Sequence, residues 1–472
     1  MTEHPASPDA TQQRRLMMFV LILVIGAFMQ TLDASILLTA IPQMAITFGV
    51  GITAYVMASA ILLPASGWLA DRIGARRLLV IALLGFTFAS VLCGISHSLP
   101  QFIAARVLQG FAGAVLGPVG SMIMMKMAPK RDLIRMVNIF SAPILVAPVL
   151  GPPIGGMLTT LFGWQWIFYL NLPVGLLGAA LVLRYIPEQP RVTRPFDRMG
   201  FALNGVALGL LIDGFGELGD GNMTRSGALA IIALGAGVGA LALRHARRYA
   251  HPLVSLSPLA NPTFALTTIW AMPLMRLPIM ALPFALPIML QVGFGMSAFA
   301  SGLLFLAHTG GDLAVKSFTG RVFARLGYRS AMTVSTLAFA AGTVACALVR
   351  VDTPLALTAL ALCVSGVFRS VQMSGTGTLS SAEIAPDAMA GATTINLIVT
   401  QLGQAIAISC TALIIQLAIA ARGGAAGVIT AADCRVALIA MAVLSLLALW
   451  PILRLRSDAG AEVSGHGRPK RA

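Results

Sequence analysis

Charge is what this chain has least of: Asp, Glu, Lys and Arg make up only 10% of its 472 residues, while 57% are hydrophobic. Soluble domains carry about 25% charged residues, so a water-soluble fold is excluded. Cysteine is also scarce, and none of Cys93, Cys346, Cys363, Cys410 and Cys434 sits in a C-x-x-C spacing. They read as small apolar packing residues that imply neither a disulfide nor a metal site. No G-x-x-x-x-G-K-[ST] motif occurs, so ATP does not drive the protein directly. Nor does any nucleophile and base pair stand out, which argues against an enzyme.

What the chain does have is apolar runs of bilayer length. A spanning helix needs about 20 residues, and fourteen runs qualify, among them 16–41, 50–70, 137–161, 199–217 and 226–243. The expectation is an all-α polytopic membrane protein. The first run follows Arg14 and Arg15, is too long for a signal-peptide core and has no cleavage pattern after it, so it is expected to be retained.

The net charge of +15 then needs placing. With the N-terminus inside, the outer loops hold Arg225, Arg350, Arg422 and Arg435, while Arg106, Arg276 and Arg369 lie within spans. The other Lys and Arg residues face inward, as the positive-inside rule requires. Basicity therefore reports topology and contact with anionic lipid, and no nucleic-acid partner is expected. Both termini are placed in the cytoplasm.

A repeat divides the chain. The loop GWLADRIGARR (67–77) recurs 253 residues on as GRVFARLGYRS (320–330), with Gly67, Arg72, Gly74 and Arg76 matched by Gly320, Arg325, Gly327 and Arg329. Both copies join an even-numbered span to the next on the inner side. Two homologous six-helix halves account for this, 16–186 and 264–453, joined by a linker, 187–263, with two extra spans. Residues 1–15 and 454–472 form cytoplasmic tails. Asp71 becomes Ala324, so the copies have diverged.

These stretches resemble the major facilitator superfamily. GWLADRIGARR matches its inner-loop signature, RVLQGFAGA (106–114) its fourth-helix motif and GPPIGG (151–156) its antiporter motif. WQWIFYLNLPVG (164–175) and FDRMG (196–200) are similar to the 14-helix drug:proton antiporter subfamily. Two departures are Gln165, where W-R-W is usual, and the absence of the usual Asn after Asp33. The resemblance implies a major facilitator fold and proton-coupled export of drugs or other amphiphiles. It also implies no cofactor beyond the proton gradient, and a multi-pass location in a bacterial inner membrane. A monomer is expected to suffice. The alternative is export of an organic anion or metabolite.

The motifs also have physical readings of their own. Gly67 and Gly74 permit a tight turn, while Asp71 can accept from Arg72, Arg76 or Arg77, making the loop a latch between conformations; a plain topogenic basic loop is the alternative. Gly151, Pro152, Gly155 and Gly156 make a kinked, close-packed helix that can serve as a hinge.

Ionisable residues inside spans are functional candidates because burying them is costly. Asp33 sits in a run, from Leu16 to Ile41, with no other charge. At about 1.5 Å per residue it lies about 14 Å in from Pro42, and Arg106 about 9 Å in from Pro100, at comparable depth. Pairing of the two is expected, with Gln30 and Gln109 as neighbouring hydrogen-bond formers. Burial favours the neutral carboxyl and the arginine the ionised one, so the site can switch with a proton; a static salt bridge is the alternative. In the second half, Arg276 and Arg369 approach mid-membrane, and His308 and Asp312, four apart, share a helix face. These four and Gln30 are the candidate substrate cavity. No metal ligand set is identifiable there.

Overall fold

The computed structural model describes residues 10–48, 66–127, 133–188, 195–220, 223–250, 252–316, 318–385, 388–423 and 428–464. Among them every regular element is helical. The first group comprises α1 (Ala10–Phe48), α2 (Ala75–Gly94), α3 (Leu99–Met127), α4 (Leu133–Leu161) and α5 (Asn171–Tyr185). A hairpin of α6 (Arg198–Asp220) and α7 (Arg225–Arg248) follows. The second group is α8 (Met272–Ile288), α9 (Ala298–Lys316), α10 (Thr319–Ala347), α11 (Leu355–Leu379), α12 (Met389–Ala421) and α13 (Ala431–Ser445).

Twelve segments among the described residues are long and apolar enough to cross a bilayer. The expected span 137–161 falls inside the 29-residue helix α4. Most of the expected span 50–70 lies outside the described residues, so the sequence-based count of fourteen is neither reached nor exceeded here. The reason these segments are helices is that a bilayer offers no water to backbone N–H and C=O groups, which must pair within the segment. Their outer faces carry exposed apolar side chains such as Phe88, Leu177, Leu234 and Val334, as lipid contact demands.

Each group has its own packed interior. Leu79, Leu83, Phe86, Leu116 and Ile123 centre the first, and Leu282, Leu286, Met289, Leu438 and Met441 the second. Glycines set the helix spacing. On α3, Gly120 faces the Leu23 carbonyl so closely that a Cβ there would stand 2.9 Å from its oxygen, and Gly117 lies beside Ala27. That glycine stripe seats α3 against α1.

The recurrent loop has recurrent geometry. Gly74 has φ 98° and Gly327 has φ 72°, a region that L side chains avoid. In each copy the glycine turns one helical stretch into the next, Ser66–Ile73 into α2 and the first turns of α10 into its remainder.

Candidate functional site

Asp33, midway along α1, is 2% exposed, and the structure surrounds it with three donors from two other helices. Arg106 Nη1 on α3 donates to Oδ2 at 3.2 Å. Gln109 Nε2, one turn further along α3, donates to Oδ1 at 3.3 Å, and Asn171 Nδ2, at the start of α5, donates to the same oxygen at 2.7 Å. Arg106 Nη1 also donates to Gln109 Oε1, and the guanidinium lies 5.6 Å from the centre of the Phe168 ring. Both Gln109 and Asn171 donate onward to Ser90 Oγ on α2, at 2.8 and 3.2 Å, and Ser90 passes its own proton to the Phe86 carbonyl. All five polar side chains are buried.

Two members of this network, Asn171 and Ser90, carry no charge to mark them in the sequence. They arrive through packing: Gly175 on α5 leaves no room for a Cβ beside Thr87, and Gly178 lets Leu83 and Ile25 approach, so α5 lies flush on α2. Asn171 then reaches across to α1. Its only sequence signal is an amide inside the apolar run WIFYLNLPVG. Trp164, Phe102 and Phe168 seal one side in edge-to-face contacts at 5.8 to 6.1 Å. Gln30 takes no place in the ring around the carboxylate; it faces Gly117.

The GPPIGG stretch makes a close contact between the two helix groups. Gly156 lies so close to α9 that a Cβ would stand 2.7 Å from the Ala298 oxygen, and Gly302 on α9 is equally crowded by the Pro152 carbonyl. Glycines thus interlock from both sides. Gly151 meets Ser35 on α1, two residues from Asp33, where a Cβ would lie 2.7 Å from the serine Cβ. The α4 backbone therefore touches the acidic site's own helix and the opposite half within two turns.

In the second group Arg369 Nη1 and Asp312 Oδ2 form an ion pair at 2.5 Å. His308 and Asp312 share a helix face, as expected, but do not bond each other. His308 Nδ1 instead faces the Leu362 carbonyl at 3.3 Å, because Gly366 and Gly311 bring α9 and α11 into backbone contact and bury the ring. Arg276 is buried on α8, donating from Nη2 to Thr400 Oγ1 on α12 at 3.1 Å. Among the described residues no group of three His, Cys, Asp or Glu is arranged to hold a metal ion.

A family model of the Major Facilitator Superfamily matches residues 23–408 and again 274–472. The chain belongs to the major facilitator superfamily. It is 36% identical over 405 residues to the "Putative multidrug resistance protein MdtD" of Cronobacter sakazakii, covering 84% of this chain and 85% of that one. The Klebsiella pneumoniae protein of the same name is 35% identical over 410 residues, with 84% and 85% covered. Solved structures with the same fold include a D-xylose-proton symporter, with TM-score 0.66, 12% identity and 94% and 98% of the two chains covered. A bacterial homologue of the human lysosomal transporter Spinster, inward-facing and occupied, gives TM-score 0.64 at 15% identity, with 95% and 97% covered. The protein is accordingly a multi-pass membrane transporter with a small-molecule substrate.

The superfamily's inner-loop signature can now be placed. It lies at the end of the bundle that also carries the linker. Arg76 Nη2 donates to the Leu183 carbonyl, and Arg77 pairs with Glu188 at 2.5 Å in an exposed bridge. Arg72 is exposed on the last turn of the short helix, and the side chain of Asp71 lies outside the described residues. Trp68 of the signature stacks obliquely on Phe196 at 4.2 Å, and the next residue, Asp197, is a hub. Its Oδ1 accepts from the Gly200 N–H and pairs with His245 Nε2, both at 2.8 Å, while Oδ2 accepts from the Leu253 N–H at 3.1 Å. Burial pushes this carboxyl up, but the bonds from Gly200, His245 and Leu253 outweigh it and hold the group below its usual range. The superfamily loop, the start of α6 and the end of α7 are thus tied at one point.

Proposed function

We propose that this protein is a proton-coupled antiporter that exports drugs or other amphiphilic small molecules from a bacterial cytoplasm by alternating access. The observation that carries this reading is the Asp33 cluster. A carboxylate buried among apolar helices is held by one cation and two neutral amides. Its negative charge is balanced by Arg106 alone, so a proton arriving on Asp33 frees the arginine, and a proton leaving restores the pair. Such a site changes its preferred surroundings with protonation, which is what coupling to a gradient requires.

The interlocked glycines of α4 and α9 supply the moving contact in this reading. The two groups part and close there while Asp33 exchanges its proton. The 67–77 loop acts as the latch at the opposite end, with Asp71 accepting from its arginines. The names of the MdtD relatives support drugs as the cargo. The protein works as a monomer in the inner membrane with both termini in the cytoplasm, as two six-helix halves and a linker hairpin.

The test is flux in reconstituted vesicles. Under an imposed pH gradient the protein should move ethidium uphill, and adding ethidium should release protons from the purified protein. Downhill movement that ignores the gradient would refute proton coupling.

A further inference from the structure

The first half's mid-membrane charges are balanced at Asp33 and Arg106, and Arg369 is balanced by Asp312. Arg276 is not. It is 7% exposed, and among the described residues no carboxylate lies within 4 Å of it. The acids Asp213 and Glu217 belong to α6, which packs on α12 as α8 does and forms no ion pair with Arg276. An unpaired guanidinium at this depth is costly and requires a reason.

The surroundings of Arg276 are those of a binding cleft. It lines a small cavity between α8 and α11 with Met272, Met275, Ile279, Gln372 and Met373. Its Nε is buried and makes no hydrogen bond, so this cavity-lining residue keeps a donor unanswered. Opposite it, Gln372 is 2% exposed and its Oε1 is likewise buried without a partner. The orientation of that amide is fixed by its neighbour. Thr336 Oγ1 gives its own proton to the Met332 carbonyl, so it can only accept from Gln372, at 3.3 Å, and the amide must turn its NH2 group there. The carbonyl end is left for a ligand. Buried polar atoms are seldom left bare, and here a cationic donor and a neutral acceptor are bare in one methionine-walled space.

We infer that this cleft takes the head group of an amphiphilic anion, with an acid group on Arg276 and a nearby hydroxyl or amide N–H donating to Gln372. Pliable methionines accommodate the apolar body. Helix α8 is built to open the cleft: π-helical turns, Ala265–Ala271 and Met289–Gly293, bracket it, and Pro278, Pro283 and Pro287 interrupt its hydrogen bonds. Thr400 and Gly403 on α12 hold the arginine from behind; a Cβ at Gly403 would stand 3.2 Å from its Cδ. The inference rests on the alternating-access reading, since the cavity widens only as the helices part.

The test is direct binding to the purified full-length protein in nanodiscs, read by scintillation proximity. Tritiated taurocholate, a sulfonate with an amide N–H, is compared with tritiated tetraphenylphosphonium, and unlabelled decyl sulfate, which has no donor, competes. Loss of a charged hydrogen bond predicts that Arg276→Gln weakens taurocholate about tenfold or more, while tetraphenylphosphonium binding is unchanged. Gln372→Leu should weaken taurocholate but not decyl sulfate. Equal loss for anion and cation in Arg276→Gln would overturn the inference, as would wild-type protein that binds the cation but not taurocholate. If Arg276→Gln aggregates, the Gln372→Leu comparison decides by itself. Arginine-dependent binding without proton-linked flux would uphold the cleft and sink the antiport reading instead.

Discussion

Replacing Asp33 by Asn tests the proposed coupling most directly. The carboxylate accepts from Arg106 on Oδ2 and from Gln109 and Asn171 on Oδ1. An amide has one acceptor. If its oxygen takes the Oδ1 place, the two amide donors stay bonded and the new NH2 faces Arg106 Nη1, donor against donor. If it takes the Oδ2 place, the NH2 opposes both Gln109 and Asn171. The first arrangement loses one bond and the second two, so the first is adopted. What remains is a buried guanidinium without its counter-charge, which costs about 3 to 5 kcal/mol when one member of a buried pair is removed. Gln109 Oε1 and the Phe168 ring still receive the cation, placing the loss near the lower figure.

The variant should therefore fold and elute as a monodisperse species, with its melting midpoint lowered by several degrees in a fluorescence thermal scan. In vesicles it should lose pH-driven uphill export and substrate-induced proton release, while keeping ethidium exchange at equal pH. The double variant Asp33→Asn with Arg106→Leu removes both charges and should regain much of the stability without regaining coupling. Normal proton release and uphill export by a well-folded Asp33→Asn protein would refute the reasoning. Recovery of uphill export in the double variant would show the pair to be a static bridge.

Gly302→Val places a branched side chain against the Pro152 carbonyl and should abolish most export without loss of expression; Gly310→Val, on the same helix with nothing within 4 Å, should be tolerated. Asp197→Asn should destabilise the docked hairpin by about 1 to 3 kcal/mol at pH 7. Because the folded carboxyl is held below its ordinary value of 3.8, its stabilisation is full above that pH and fades as pH falls below it. The melting gap between wild type and variant should therefore narrow as pH falls below 3.8, and a constant gap would show that charge is not involved. A green fluorescent protein fused after Ala472 should fluoresce and an alkaline phosphatase there should be inactive; the reverse pattern would place the C-terminus outside.

The charged part of the site was legible because a bilayer penalises charge so heavily that Asp33 and Arg106 stand out singly, and helical rise converts their sequence positions into depths. The structure brings them to 3.2 Å. A neutral amide or hydroxyl carries no such signal. Asn171 and Ser90 each look like incidental polar residues, and only the glycine-mediated seating of α5 on α2 aims them at one carboxylate. Spacing also says less about partners than about faces. His308 and Asp312 do share a face, yet the aspartate takes the arginine of another helix, because an ion pair between helices outcompetes a histidine turned into a helix contact. The same distinction separates the recurrent loops, where Gly74 and Gly327 need an unusual backbone and so leave a trace in sequence, from the Gln372 and Thr336 contact, which requires only ordinary residues. Backbone demands and buried charges restrict which residue can occupy a position. Neutral networks restrict only pairs of positions, and the pairs Asn171–Ser90 and Gln372–Thr336 lie on different helices. It follows that the charge of the proposed proton site is set by α1 and α3, while the amide bonds that steady it depend on how α2 and α5 pack, so a substitution at Gly175 should disturb the proposed coupling without touching an ionisable residue.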